Sequence, residues 1–510
     1  MSGFKIHIPP TEDNSTSSID RARAAHGFEL SGKGFTIALI SVLLLVALGV
    51  SYGIAKYGML PGLAVIGLIF GILVLYILLT YQKAGIVLLM TAAYFIMLVI
   101  NVANVDFPLG TTMDALVGIL LLAFILRQKF QRNWQMLRNP ISVMILIWIA
   151  YNLLQVLNPD AASRMSWIYT VRSVALFMLT YFLFMYKIRT IGFIKFILKL
   201  WLALCLFAAL WAFKQEYIGL AGFEFRSLTS NPMNIDLFFI DGRWRKFSIF
   251  PDPVTFSYNM VAGALLCIGL IMGPLSKTKK YILGVMAFIF LWAMLFSGTR
   301  GAYVLVPAGV FMLIVLNFNR NMLLLAVAGA IGFGALIVIP TENKLIKRFQ
   351  TAFKPADDPS FNVRASNQKK IQPYILSHPM GGGLGATGVW GQRFAPESML
   401  AKFPPDSGYV RVAVELGWIG LLLFCILMFT ILRSGILNYF SIKDPMLKSI
   451  CLAMLLIAFA INIGNYPQEA LVQFPMNIYF YLVAALINIT KQLDDAQSAS
   501  SLHTDRTHAS

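Results

Sequence analysis

Charge is scarce in this chain. Only 13% of its 510 residues are Asp, Glu, Lys or Arg, against 58% hydrophobic, and that balance excludes a water-soluble globule of such length. In-out alternation is missing as well. The apolar residues come as unbroken blocks of about 17 to 25, the length a helix needs to cross roughly 30 Å of hydrocarbon, and not as ten-residue alternating strands, so a β-barrel is excluded. Cysteine and histidine are few. The four cysteines, Cys205, Cys267, Cys425 and Cys451, lie inside apolar blocks without zinc or disulfide spacing and read as small core residues. Of five histidines, His7, His26, His503 and His508 sit in polar termini, which argues against a histidine-built metal centre; neither metal nor cofactor is expected. No internal repeat is visible, and the first residues lack the basic-then-apolar pattern of a signal peptide.

What is there is a run of hydrophobic segments. They fall near 35–54, 59–80, 84–103, 111–126, 141–157, 169–186, 191–213, 255–273, 281–297, 301–317, 321–339, 407–432, 446–464 and 471–490, which predicts an all-α polytopic membrane protein of about fourteen helices. Lys and Arg crowd alternate short connections such as "RQKFQRNWQMLRNP" and "SKTKK", whereas "NVDFPLGTTMD" and "NYPQEA" have none. The positive-inside rule puts the first set and both termini in the cytoplasm. The net charge of +18 then reads as loops facing anionic lipid, with no nucleic-acid partner implied. The expected organisation is a cytoplasmic tail over 1–34, eleven helices over 35–339 with an outer loop at 214–254, a large outer loop at 340–406, three helices over 407–490, and a disordered tail over 491–510. Loops this long carry function more often than short connections do. The larger one holds an amphipathic "NKLIKRFQTAF", a helical "VRASNQKKIQPYIL" and a turn-rich "HPMGGGLGATG".

Arg300, in "FSGTRGA", stands between two apolar blocks at the outer end of a span. An arginine there is either an interfacial anchor or a ligand for an anion. On the same side lie Arg172, the basic "DGRWRKFSIFPDP" with Arg243, Arg245 and Lys246, then "FKP", Arg364, and Arg411 in "DSGYVRVAVELG". Outer basic residues oppose the usual bias, and their convergence would make a diphosphate site: at an effective dielectric near 20, one cation about 4 Å from a phosphate gains about 4 kcal/mol, and a guanidinium grips two oxygens. The bland reading of each is a solvated charge or a lipid-headgroup contact. Asp406 is either a proton acceptor or the N-cap of the span that begins near Tyr409. Glu415, four residues after Arg411, is a functional carboxylate or half of an ion pair. His378 and the glycines after it read as a turn, since no Lys-Ser/Thr follows to make a nucleotide loop. Trp244 and Trp390 suit sugar stacking or interfacial anchoring.

Three of these stretches together resemble the O-antigen ligase and polymerase superfamily of bacterial envelope glycosyltransferases. "FSGTRGA" resembles its Ser/Thr-Arg-Gly-Ala motif. "VRASNQKKIQPYILSHPMGGGLGATG" resembles its Arg, helix, then Pro-x-Gly-x-Gly run, and "DSGYVRVAVELGWIGLLLF" the block with Tyr, Glu and Gly that opens the next span. The likeness spans residues 240–435. It implies a GT-C-like fold in the bacterial inner membrane, a polyprenyl-pyrophosphate-linked glycan as donor, a glycan or lipid A core as acceptor, envelope polysaccharide assembly partners, and metal-free catalysis. By the resemblance Arg300 contacts the pyrophosphate, a task shared with Arg243 or Arg245, and Glu415 matches the family's Glu; the expected catalytic residues are Arg300, Asp406 and Glu415, with Arg172, Arg364, Arg411 and Tyr409 in the substrate site. One departure matters: many ligases have His-Asn where this chain has Asp406-Ser407, which leaves polymerase open. A flippase or transporter for lipid-linked glycans is the alternative. Such proteins favour repeats and a midplane site, whereas here the informative polar residues lie at one face.

Overall fold

The computed structural model describes residues 32–508 apart from 59, 104–108, 132–134, 230–234, 236, 241, 343, 352 and 354–358. Helices occupy all the apolar blocks: α1 (Gly32–Tyr57), α2 (Leu60–Thr80), α3 (Gln82–Ala103), α4 (Leu109–Gln131), α5 (Pro140–Leu154), α6 (Arg164–Lys187) and α7 (Ile191–Tyr217). After the short α8 (Gly222–Thr229) and a two-stranded ribbon, β1 (Phe239–Ile240) against β2 (Arg243–Trp244), come α9 (Pro253–Ile271), α10 (Lys277–Leu295), α11 (Arg300–Leu316) and α12 (Arg320–Val338). The 340–406 connection carries α13 (Lys344–Thr351), α14 (Pro359–Ser377) and α15 (Gly388–Phe394), and α16 (Gly408–Ser441), α17 (Pro445–Gly464) and α18 (Met476–His508) complete the chain.

The protein is thus an all-α polytopic membrane protein. Among the described residues, eight helices are long and apolar enough to span a bilayer, and α11 is a shorter apolar helix. Three helices start the same way, with Asn139, Asp252 or Asp444 as N-cap and a proline in the next position. The cap side chain accepts backbone N–H groups that have no helical partner, and proline lacks the N–H that would be left over.

Residues up to Tyr76 and residues from Ile77 onward are separate compact units. In the first, Ile40, Leu44, Leu45, Leu48 and Tyr52 of α1 are exposed, the pattern of a helix whose sides meet hydrocarbon. In the second, α9 and α17 are the most enclosed spans. They approach closely because small residues face one another: a Cβ on Gly269 would lie 2.4 Å from the Ala453 backbone, and one on Gly273 would lie 2.5 Å from Ser449 Oγ. Close contact of this kind replaces the hydrophobic drive that lipid cannot supply.

Two expectations are corrected. Cys425 is exposed on α16, while Cys205, Cys267 and Cys451 are buried as expected. Residues 491–508 are helical rather than disordered, because α18 continues to His508. Asp494 anchors that extension by accepting the backbone N–H groups of Lys443 and Asp444, and Lys491 pairs with Asp495 one turn on; a composition-based reading has no view of either partner.

Candidate active site

The turn between α10 and α11 collects guanidinium groups. Arg245, just past β2, donates to the carbonyl of Ser297 at 2.8 Å, to Thr299 Oγ1 at 3.0 Å and to the carbonyl of Leu237 at 3.0 Å. Arg348 on α13 donates to the carbonyl of Gly298 at 2.8 Å. Arg300 opens α11 directly after Thr299. Gly298 takes φ +59°, and a Cβ there would stand 3.0 Å from Arg348 Nε, so only glycine lets the guanidinium lie across the turn. The aromatic face of α13 aims Arg348: Phe349 packs on Tyr303 of α11 at 5.3 Å and on Phe333 of α12 at 5.7 Å. Arg245 and Arg348 thus both donate to backbone carbonyls of this turn. Burial, with Arg348 and Arg300 close by and Asp252 opposing, pulls the Arg245 guanidinium down to about 10. Like charges held together this way attract a polyanion.

Asp406 has its own cation, Arg364. Arg364 of α14 acts on Asp406 and also on the buried Tyr258, whose hydroxyl would sit 3.3 Å from a Cβ on Gly301. Arg364, Gln368, Pro404, Asp406 and Ser407 line one small groove. Ser407, not Asp406, caps α16, its side chain accepting from Val410 N–H. Asp406 is thus freed from the capping role the sequence also allowed. Burial raises the pKa of its carboxyl and Arg364 opposes the rise, so the group is a stronger base than an ordinary aspartate.

Behind the groove, the glycine turn plugs a break in α16. Gly417 has φ +70° and ψ −177° inside the helix, which frees carbonyls and N–H groups that need partners. Gly382 N–H donates to the carbonyl of Val414 at 2.9 Å, Ile419 N–H to that of Pro379 at 3.3 Å, and Tyr151 Oη to that of Leu416 at 2.7 Å. Gln155 and Asn158 fasten the turn from the other side through the carbonyl of Met380. Glu415, buried, ties the far end: Oε2 accepts from Gly385 N–H at 3.0 Å, and Oε1 from Thr387 N–H at 3.3 Å, from the Thr387 hydroxyl and from Arg411 Nε at 3.1 Å. Arg411 also reaches Glu469 at 2.6 Å. Burial raises the pKa of Glu469, Arg411 opposes, and Glu415 and Asp406 add to the rise.

Residues 285–425, which hold Arg300, Arg348, Arg364, Asp406 and Glu415, match the family described as O-antigen ligase. That stretch is similar to the O-antigen ligase family. Over 221 residues it is 28% identical to an O-antigen polymerase of Salmonella muenchen, an alignment covering 41% of this chain and 51% of that relative. The chain thus spans about half the length of the curated relative it matches. Both findings bear out the resemblance to the O-antigen ligase and polymerase superfamily.

The remaining candidates are held in different ways. Arg243 is paired with Glu216, which also faces Lys246 at 3.7 Å; of the two basic residues of "GRWRK", it is Arg245 that reaches the 297–299 turn. Arg172 pairs with Asp114 of α4 and packs on the Tyr169 ring. Arg411 is held between two glutamates. Tyr409 donates its hydroxyl to Asn462 of α17. His378 stacks on Tyr374 with ring centroids 4.0 Å apart, the turn role expected of it. Lys354 and Pro355 of "FKP" lie outside the described residues. Arg348 and Glu469 were missed. The amphipathic "NKLIKRF" was the available signal for the first; the second, in "NYPQEA", gives none.

On the other side of the 404–408 turn lies a cavity of about 420 Å³ between α5, α6, α15, α16 and the start of α18, bordered by Trp148, Asn152, Trp390, Arg411, Glu469 and Asn477 among others.

Proposed function

We propose that the protein is a membrane glycosyltransferase of the O-antigen ligase or polymerase kind, transferring a glycan from a polyprenyl diphosphate to an acceptor hydroxyl at the periplasmic face of the inner membrane. The observation that carries the reading is the convergence of Arg245, Arg300 and Arg348 around the 297–299 turn, in a chain whose Asp406 and Arg364 line one groove. Chemically little else is needed. The bond from the sugar's anomeric carbon to the diphosphate oxygen breaks with its electron pair leaving on the diphosphate, whose developing charge the guanidiniums take up. The acceptor oxygen bonds to the anomeric carbon as its proton passes to Asp406. Glu415 has its carboxylate engaged by the glycine turn and Arg411, so its part is to hold the turn. Arg172, Arg243 and Arg411, each paired, support the outer surface rather than grip the diphosphate.

The test is the lipid-linked glycan pool and the surface polymer of a deletion strain complemented with Arg300→Ala or Arg300→Lys. Loss of polymer at normal protein level is expected, since one lost charge-stabilising donor typically costs about 100- to 1,000-fold in rate. Single repeat units left on the lipid would indicate polymerase chemistry, unattached long chains ligase chemistry. Donor accumulating at the inner leaflet would overturn the reading in favour of a flippase.

A further inference from the structure

We infer that the 420 Å³ cavity is the subsite for the acceptor's terminal sugar, an inference that rests on the transferase reading above. Three buried polar side chains border it without satisfied bonding: Trp148 Nε1, Asn152 Oδ1 and Asn477 Oδ1 have no hydrogen-bond partner among the described residues. Trp148, Asn152 and Asn477 are 3%, 0% and 5% exposed, so bulk water does not serve them. The Asn152 amide donates back to the carbonyl of Trp148 at 2.8 Å, which leaves its oxygen as the free end. A buried donor or acceptor left unmet costs about 1–3 kcal/mol. A ligand seated against all three would accept from an indole N–H and donate to two amide oxygens. Hydroxyl groups do both.

Charge narrows the class further. Arg411 is shared by Glu415 and Glu469, so this wall is formally one negative charge in excess and repels a diphosphate, which belongs with the guanidiniums around residue 298. Most of the remaining lining is apolar or aromatic, with Phe177, Trp390, Phe424 and Tyr481 offering faces for the C–H side of a sugar ring. The volume falls in the range of about 300–1,000 Å³ that small ligands occupy, enough for a chain end and not for a polymer. Position completes the case. Pro405 and Gly408 border the cavity while Pro404, Asp406 and Ser407 border the groove, so one turn separates a seated sugar from the base, and the Asp406 charge reaches Glu469 across it.

The experiment uses the full-length protein in lipid nanodiscs, the host strain's own lipid-linked repeat unit as donor, and as acceptor the lipid-free oligosaccharide released from that donor by mild acid. In Asn477→Ala and Asn152→Ala the acceptor KM rises about tenfold, the equivalent of one hydrogen bond to a ligand, while donor affinity, measured by competition with free polyprenyl diphosphate, stays as in the parent. Val174→Trp, which fills the cavity from α6, abolishes transfer and leaves donor affinity intact; its thermal melting shows that it folds. Equal acceptor KM in all variants, with the cavity holding water only, overturns the inference. An inert parent enzyme would instead sink the transferase reading. In that event, calorimetric binding of the free oligosaccharide to the parent, lost in Asn477→Ala, upholds the sugar site, and no binding overturns it.

Discussion

Gly417→Ala is the sharpest structural perturbation available, because one methyl group would strike the joint between the glycine turn and α16. With φ +70° and ψ −177°, Gly417 sits in a region open essentially to glycine alone, where another residue costs on the order of 1–3 kcal/mol. The added Cβ would also lie 1.9 Å from the Pro379 carbonyl oxygen and 2.6 Å from Gly381 N. These are rigid backbone atoms, so the turn must back away from the helix. Retreat breaks the bonds from Gly382 N–H to Val414 and from Ile419 N–H to Pro379, about 1 kcal/mol each. The combined destabilisation is about 3 to 5 kcal/mol. Thermal and denaturant unfolding in detergent micelles measures it, with Gly284→Ala as control: that exposed α10 position has nothing within 4 Å of a new Cβ, and alanine there gains helix propensity of up to about 1 kcal/mol. The same retreat displaces Glu415 and the 404–408 turn, so surface polymer falls with stability. If Gly417→Ala melts with Gly284→Ala and makes full-length polymer, the docking of turn into helix break is not what holds this site.

Other expectations follow from single residues. Asp406→Asn and Asp406→Ala both lose transfer but melt like the parent, since Ser407 is the cap; an activity-retaining Asn variant would remove Asp406 as base. A base must be ionised, and burial raises the pKa of Asp406, so the rate falls on acidification through a point above the usual aspartate value of about 3.9. Arg364→Gln removes the cation that lowers that pKa and moves the acid limb to higher pH; an unmoved limb in the pH–rate profile contradicts the assignment. Arg411→Met strands the buried Glu415 and the half-buried Glu469 and lowers stability by about 3–5 kcal/mol, while the Arg411→Met/Glu469→Gln pair recovers part of it, read from unfolding midpoints. Gly298→Ala pushes Arg348 off the turn and weakens polyprenyl diphosphate binding about tenfold; unchanged affinity would free Arg348 of any donor role.

Much of the site was legible because its chemistry is out of place in a membrane sequence. Arg300 between two apolar blocks, Arg245 in a basic loop and Arg364 ahead of the glycine run stand out since ionised groups near hydrocarbon are costly and need a reason. The four-residue interval between Arg411 and Glu415 announced their pairing through helical geometry, and the structure has it at 3.1 Å. Choosing between Arg243 and Arg245 was beyond the sequence, as both sit two residues apart in the same ribbon. What separates them is that Glu216 at the end of α7 claims the first and the carbonyls of 297–299 the second. Asp406 and Ser407 were likewise indistinguishable as caps until the backbone entering α16 showed which side chain reaches Val410 N–H.

By itself the sequence determined that the chain is helical, where its long apolar helices run, and that basic residues gather in the 214–254 and 340–406 connections. Each of these follows from local quantities, namely block length, hydropathy and the cost of charge in lipid. The break at Gly417 filled by a loop more than thirty residues upstream, the arrival of Arg348 beside Arg245 and the cavity with its three unmet polar groups were decided only by tertiary structure. They depend on which surfaces of distant helices meet, and short-range spacing carries no record of that when every such surface is apolar.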